Sequence, residues 1–147
     1  MKVLVQRVDN AKVSVNNKEV SQIQKGMLVF IGVEKNDSNK EADYLSNKLI
    51  NLRIFEDENN KMNLSIKDIK GEILAVSQFT LAGDLSRGNR PGFDTAAKPD
   101  TAEPLYNYFV EQLKKHDIPV KTGIFQAEMK VSLTNDGPVT FILENRR

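Results

Sequence analysis

The sequence predicts one domain of the mixed α/β class, with several strands and two main helices. Three observations predict it. Apolar stretches of strand length recur along the chain, separated by Asn, Gly and Pro. Two longer stretches, one after Ser38 and one before Pro119, repeat apolar residues at helical spacing. Finally, 147 residues with 39% apolar and 28% charged content can bury one good core, not two comfortable ones, so a single domain over 1–147 is expected.

Taken in order, residues 3–8 and 12–15 read as strands. Asn16-Asn17 then supplies turn residues able to adopt positive φ before a further strand at 20–23. Met27-Leu28-Val29-Phe30-Ile31 is a continuous apolar run, the pattern of a strand buried on both faces. Ser38-Asn39-Lys40-Glu41 has capping-box spacing, and Ala42, Leu45, Leu49 and Leu52 follow at helical intervals. Residues 73–76 form an apolar strand that delivers Ser77 to a turn-rich loop over 83–99, and long loops in compact domains are often functional. A second helix should start between Asp100 and Pro104, bury Leu105, Phe109 and Leu113, and stop before Pro119. The last strands are expected at 120–124, 129–134 and 139–143.

What the chain lacks limits its chemistry. It has no cysteine, so disulfides, thiolate metal sites and a cysteine nucleophile are excluded. A Ser-His-Asp triad would have to use the single histidine, His116, whose default reading is a solvent-facing residue at the negative end of the second helix. Glu56-Asp57-Glu58 is the densest acidic cluster and reads as a solvated turn before Asn59-Asn60; no catalytic metal is expected. No glycine pattern for a nucleotide is present, so no cofactor is expected either. The Met1 to Val5 run is too short for a signal peptide and nothing reaches membrane-spanning length, so a soluble cytoplasmic protein without membrane contact is expected. A net charge of +1 argues against a long grip on nucleic acid; DNA is not expected, while contact with one end of a tRNA is compatible.

Two segments carry most of the functional information: Ser77-Gln78-Phe79-Thr80-Leu81 and Asn135-Asp136-Gly137-Pro138-Val139-Thr140. By themselves they are an ordinary strand end and a plain turn between strands, since only ~5–6% of X-Pro bonds in folded proteins are cis. Together, and co-linear with Val5-Gln6-Arg7-Val8, the Asn51 to Asp57 run and Lys61-Met62-Asn63-Leu64-Ser65, they resemble the D-aminoacyl-tRNA deacylases. The resemblance implies a barrel-like fold of mainly antiparallel and mixed sheets with two main helices, forming a homodimer. It implies hydrolysis of the ester between a D-amino acid and the 3′ end of tRNA, also of mischarged glycyl-tRNA(Ala), and rejection of L-aminoacyl esters, as proofreading for translation.

An aminoacyl ester is already activated, so orientation and backbone N–H donors to the oxyanion suffice, at roughly 2.7–4 kcal/mol per well-placed donor. By resemblance Ser77, Gln78, Phe79 and Thr80 form the catalytic segment, with the Phe79 and Thr80 N–H groups facing the scissile carbonyl. Thr80 without an adjacent base is a poor nucleophile, so water attack assisted by the tRNA's 2′-hydroxyl is favoured over an acyl-threonine. The resemblance also implies a Gly137-cisPro138 main-chain filter that enters the other subunit's site, with Met129 beside the substrate and Arg7 supporting the loop. The alternative for Arg7 is a surface arginine on an edge strand. Arg87, Arg90 and Lys98 are candidates for tRNA phosphates, against which stand Asp84 and Asp94 in the same loop. The chain departs from the family pattern at Ala82, where an aromatic is common, at Gly92, where serine is common, and at Gln126-Ala127-Glu128, where Gly-Ala-Asp is usual. Two rivals are a noncatalytic tRNA-end or RNA-binding module and a structural dimerisation domain.

Overall fold

The computed structural model describes residues 1–145. In chain order it contains β1 (Lys2–Val15), β2 (Lys18–Ile23), β3 (Gly26–Gly32), α1 (Asn39–Asn51), β4 (Phe55–Glu56), β5 (Met62–Leu64), β6 (Glu72–Ser77), α2 (Pro99–Lys114), β7 (Val120–Thr122) and β8 (Lys130–Glu144). A 3-10 turn, Phe79–Ala82, follows β6.

Local sequence signals set several of these elements. Asn16 and Asn17 take positive φ between β1 and β2, the turn the pair predicted. Ser38 and Glu41 form the expected capping box at α1, in which the Glu41 carboxylate accepts from the Ser38 N–H at 2.7 Å. Pro99 opens α2 at a position where its missing N–H costs nothing, and Leu105, Phe109 and Leu113 are buried as predicted.

Two expected breaks are absent. The strands predicted at 3–8 and 12–15 are one strand, β1, and those predicted at 129–134 and 139–143 are one strand, β8. The reason is pairing: β8 runs antiparallel to β1 along nearly all its length, while the other edge of β1 is shared by β3 and β2. The strand expected to reach residue 124 ends at Thr122, and the β4–β5 hairpin was not expected.

β3, β6 and β7 are parallel neighbours, each joined to the next by a crossover that carries a helix. The mixed sheet curls until β2 approaches β7, where the Ser21 hydroxyl donates to the Thr122 carbonyl at 2.8 Å and the Lys121 ammonium to the Gln22 carbonyl at 2.7 Å. One face packs under the helices: Val3, Val5, Met27, Val29, Ile31, Ile73 and Ala75 meet Leu45, Leu49, Phe109 and Leu113. The inside of the curl is filled by Val8, Ala11, Val13, Ile23, Leu28, Leu74 and Val76. Each fully buried Val, Leu, Ile, Phe or Met side chain among them contributes ~1.5–3 kcal/mol. On β1 the residues facing the inner cluster change from even to odd numbers between Val8 and Ala11, where the register with β8 slips as in a bulge. The α-ammonium of Met1 is buried against Glu34 at 3.0 Å and Asp37 at 2.7 Å. No helix among the described residues is long and apolar enough to cross a membrane.

Candidate active site

The first motif lies where β6 stops. Ser77 is its last residue, paired with Ile31 of β3, and the Gln78 N–H still donates to the Ile31 carbonyl at 2.8 Å. The chain then tightens into the 3-10 turn, closed by Leu81 N–H to the Gln78 carbonyl at 3.2 Å and Gly83 N–H to the Thr80 carbonyl at 3.0 Å. The Phe79 and Thr80 N–H groups open this turn, so no acceptor exists for them within it, and among the described residues they donate to no other group. The Gln78 carboxamide donates to the Thr80 hydroxyl. No imidazole or other base is bonded to that hydroxyl among the described residues.

Beside this strand end is a cavity of about 650 Å³. Ser77, Gln78 and Phe79 line one side of it, Lys98, Pro99 and Ala102 at the start of α2 another, and Phe125, Gln126, Ala127 and Met129 a third. Phe93, from the loop over 83–98, stands against Phe79 with ring centroids 5.2 Å apart and planes at 58°. That loop is tied down by the Thr95 hydroxyl on the Ala82 carbonyl (3.1 Å) and by paired bonds between Asp84 and Gly92 (2.7 and 2.9 Å). At its turn the Ser86 hydroxyl, then the Ser86 N–H, hold the Asp84 carboxyl below the usual carboxylate range. The Tyr106 ring stands 6.0 Å from that of Phe125 in the cavity wall; its hydroxyl donates to the Ala75 carbonyl at 3.1 Å, and burial pushes its phenol up to about 12.

The second motif is a bulge, where a turn between two strands was the default. Asn135 pairs with Val8 and Thr140 with Gln6, so residues 136–139 stand opposite Arg7 alone. The Gly137-Pro138 peptide is cis. Both residues are exposed, and the buried Arg7 lies behind them, only 5% exposed. Its Nε donates to the Asp136 carbonyl at 2.9 Å and lies 3.1 Å from the Asp136 carboxylate; one terminal nitrogen donates to the Ile54 carbonyl at 2.8 Å. The surface-arginine alternative therefore fails: Arg7 bonds the bulge.

The structure thus gathers Ser77, Gln78, Phe79, Met129 and Lys98 around one cavity; exposed Thr80 adjoins it through Gln78 without lining it. Arg87 and Arg90 are exposed on the loop and do not line it. Gly137 and Pro138 are remote. The register Arg7, Met27, Ile73 places the bulge three strands across and four residues along from Ser77, roughly 20 Å away. Sequence reasoning missed Phe93 and Phe125 as cavity residues; they gave no signal, because only tertiary packing brings them there. Gln126 has φ 65°, in the left-handed region that favours glycine. Among the described residues no three His, Cys, Asp or Glu side chains gather as a metal site would.

Comparison with known proteins bears on what this arrangement does. The family model described as D-Tyr-tRNA(Tyr) deacylase matches residues 4–144. A D-aminoacyl-tRNA deacylase of Geotalea uraniireducens is 63% identical, covering 98% of this chain and 93% of that one. One from Thermodesulfovibrio yellowstonii is 56% identical, covering 99% and 100%. Among solved structures, one described as the c-Myc DNA unwinding element binding protein superposes with a TM-score of 0.94 at 43% identity over 100% of both chains. Another, a probable eukaryotic D-amino acid tRNA deacylase, has a TM-score of 0.80 at 20% identity over 97% of each and shares the fold. The family match spans both motifs, the cavity and the bulge, and the chain belongs to the D-Tyr-tRNA(Tyr) deacylase family.

Proposed function

We propose that this deacylase hydrolyses the ester between a D-amino acid, or glycine, and the 3′ end of tRNA, in a site completed by a second copy of the chain. One observation carries the reading: the cavity holding Ser77, Gln78 and Phe79 lacks Gly137 and Pro138, which project outward roughly 20 Å away. A bulge that selects the substrate of this cavity has to come from a partner.

In this reading the scissile carbonyl lies over the Phe79 and Thr80 N–H groups. Water, oriented by the tRNA's 2′-hydroxyl, adds to the carbonyl carbon; the oxyanion takes the two N–H bonds; the 3′-oxygen leaves with a proton, giving free amino acid and tRNA. Each donor contributes roughly 2.7–4 kcal/mol in a water-poor site. The Gly137 and Pro138 carbonyls accept from the substrate's α-ammonium, so that an L side chain would meet backbone while a D side chain projects outward. Glycine, with nothing to exclude, is cleaved as well. Lys98, on the cavity rim, is the best placed of the three cations for the terminal phosphate. Its removal should lower the salt slope of tRNA binding by about one, while removal of Arg87 or Arg90 should do less. No membrane contact enters this reading, and a cytoplasmic site of action suits it.

The DNA-binding description of the 43% identical structure belongs to that protein; a net charge of +1 gives this chain little counterion-release grip on duplex DNA. The test compares D-tyrosyl-tRNA and L-tyrosyl-tRNA hydrolysis in EDTA. Cleavage of the D-ester alone is expected; no turnover with tRNA still bound would favour a noncatalytic binding module. Mixing a Gly137→Ala chain with a Gln78→Ala chain should restore activity that neither has alone, and absence of restoration would argue against the shared site.

A further inference from the structure

The bulge needs something to hold its two arms at a fixed separation, because residues 136–139 have no partners in the register with β1. Arg7 grips one arm only, at Asp136. The other arm is held by Asn135, whose carboxamide nitrogen donates to the Arg7 carbonyl at 3.0 Å and to the Val139 carbonyl at 3.1 Å. One NH2 group therefore ties the start of the bulge both to the central strand and to its end. Both partners are carbonyl oxygens, so only the donor end of the side chain can face them. The acceptor end is consequently turned toward Gly137, where a Cβ would stand 2.2 Å from Asn135 Oδ1 and 2.6 Å from the Val139 nitrogen. The same carboxamide that closes the base of the bulge fills the space a side chain at 137 would need.

We propose that Asn135 is a positioning residue for substrate selection: its carboxamide staples the base of the Gly137-Pro138 bulge and so sets the direction of the main chain that meets the substrate. This rests on the reading that the bulge is the chiral filter. Serine would be too short to reach both carbonyls. Aspartate, though isosteric, would set carboxylate oxygens against carbonyl oxygens and reverse both interactions.

The experiment uses the full chain with Asn135→Asp, and Asn135→Ala in case the charged variant folds poorly. It reads three quantities: the melting temperature, the backbone amide resonance of Gly137, and kcat/KM for D-tyrosyl-tRNA and L-tyrosyl-tRNA. The expected result is a shifted Gly137 resonance and a D over L ratio lowered by about tenfold to 100-fold, the range carried by a misplacement of about 1 Å in a positioning group. A role in stability alone would lower the melting temperature and leave the ratio at its original value. An unmoved Gly137 resonance would overturn the staple. A moved resonance with an unchanged ratio would also overturn it, and Gly137→Ala then tells where the fault lies. If Gly137→Ala alters the ratio, the filter stands and only the role of Asn135 falls; if it does not, the filter reading falls too.

Discussion

The two motifs solve opposite structural problems. At Ser77 to Thr80 a strand simply ends beside a cavity: the last ladder bond is made by Gln78, and among the described residues the next two N–H groups donate to no acceptor. At Gly137 and Pro138 the strand does not end. It steps out of register for four residues and is gripped from behind by a buried arginine and from its base by an asparagine. The first region needs only termination and exposure, which many sequences supply. The second needs several side chains in fixed relation, so the effects of substitution should differ in kind between them.

The largest effect is expected at Gly137. Gly137→Ala places a Cβ within 2.2 Å of Asn135 Oδ1 and should lower kcat/KM for the D-ester by about 100-fold or more. Near-normal turnover of D-tyrosyl-tRNA would break the contrast, since the bulge would then tolerate a side chain. Arg7→Ala against Thr80→Ala sharpens it. Loss of the buried guanidinium should cost about 3 kcal/mol and lower the melting temperature by about 6–12 °C. Exposed Thr80→Ala should change stability by less than about 0.5 kcal/mol and rate by about tenfold; complete loss of turnover with substrate still bound would instead favour an acyl-threonine. Thermal melts beside single-turnover assays distinguish these outcomes.

Alkaline pH probes the buried Tyr106, which packs on Phe125 of the cavity wall. The Tyr106 phenol titrates near 10.0 when unfolded and at about 12 when folded, so between these values the unfolded chain releases a proton that the folded chain keeps. The stability contribution is complete below pH 10 and is lost toward pH 12, on the order of 2 kcal/mol. Urea melts of the native protein and Tyr106→Phe across this range should diverge, with only the native protein losing this contribution. The smallest effect is at Gln126: Gln126→Gly relieves a φ of 65° and should raise stability by about 1 kcal/mol, or about 2–4 °C. No rise in melting temperature would mean that contacts of the glutamine offset the backbone cost.

How much of this was legible follows the range of each interaction. The α1 capping box, the Asn16-Asn17 turn and the buried run of β3 were readable because their causes lie within a few residues. The unbroken β1 and β8 were not, because each is kept extended by partners distant in sequence: Asn10 pairs with Thr134 and Gln6 with Thr140. The Gly-Pro segment misled for a related reason. Asp, Gly and Pro are equally at home in a hairpin turn and in a bulge, and only the register of β8 on both sides of it distinguishes the two.

The sequence by itself determined the class of fold, the order of most elements, the absence of cysteine, and the two motifs through which the family is recognised. Tertiary structure alone decided that Phe93, Lys98 and Met129 share a cavity with Ser77, that Arg7 is buried behind the bulge, and that Gly137 lies far from the cavity in its own chain. The physical reason is one of range. Caps, turns and periodicity act over a few residues and are written locally, whereas strand register and burial bring together residues more than a hundred positions apart, as Arg7 and Asp136 are.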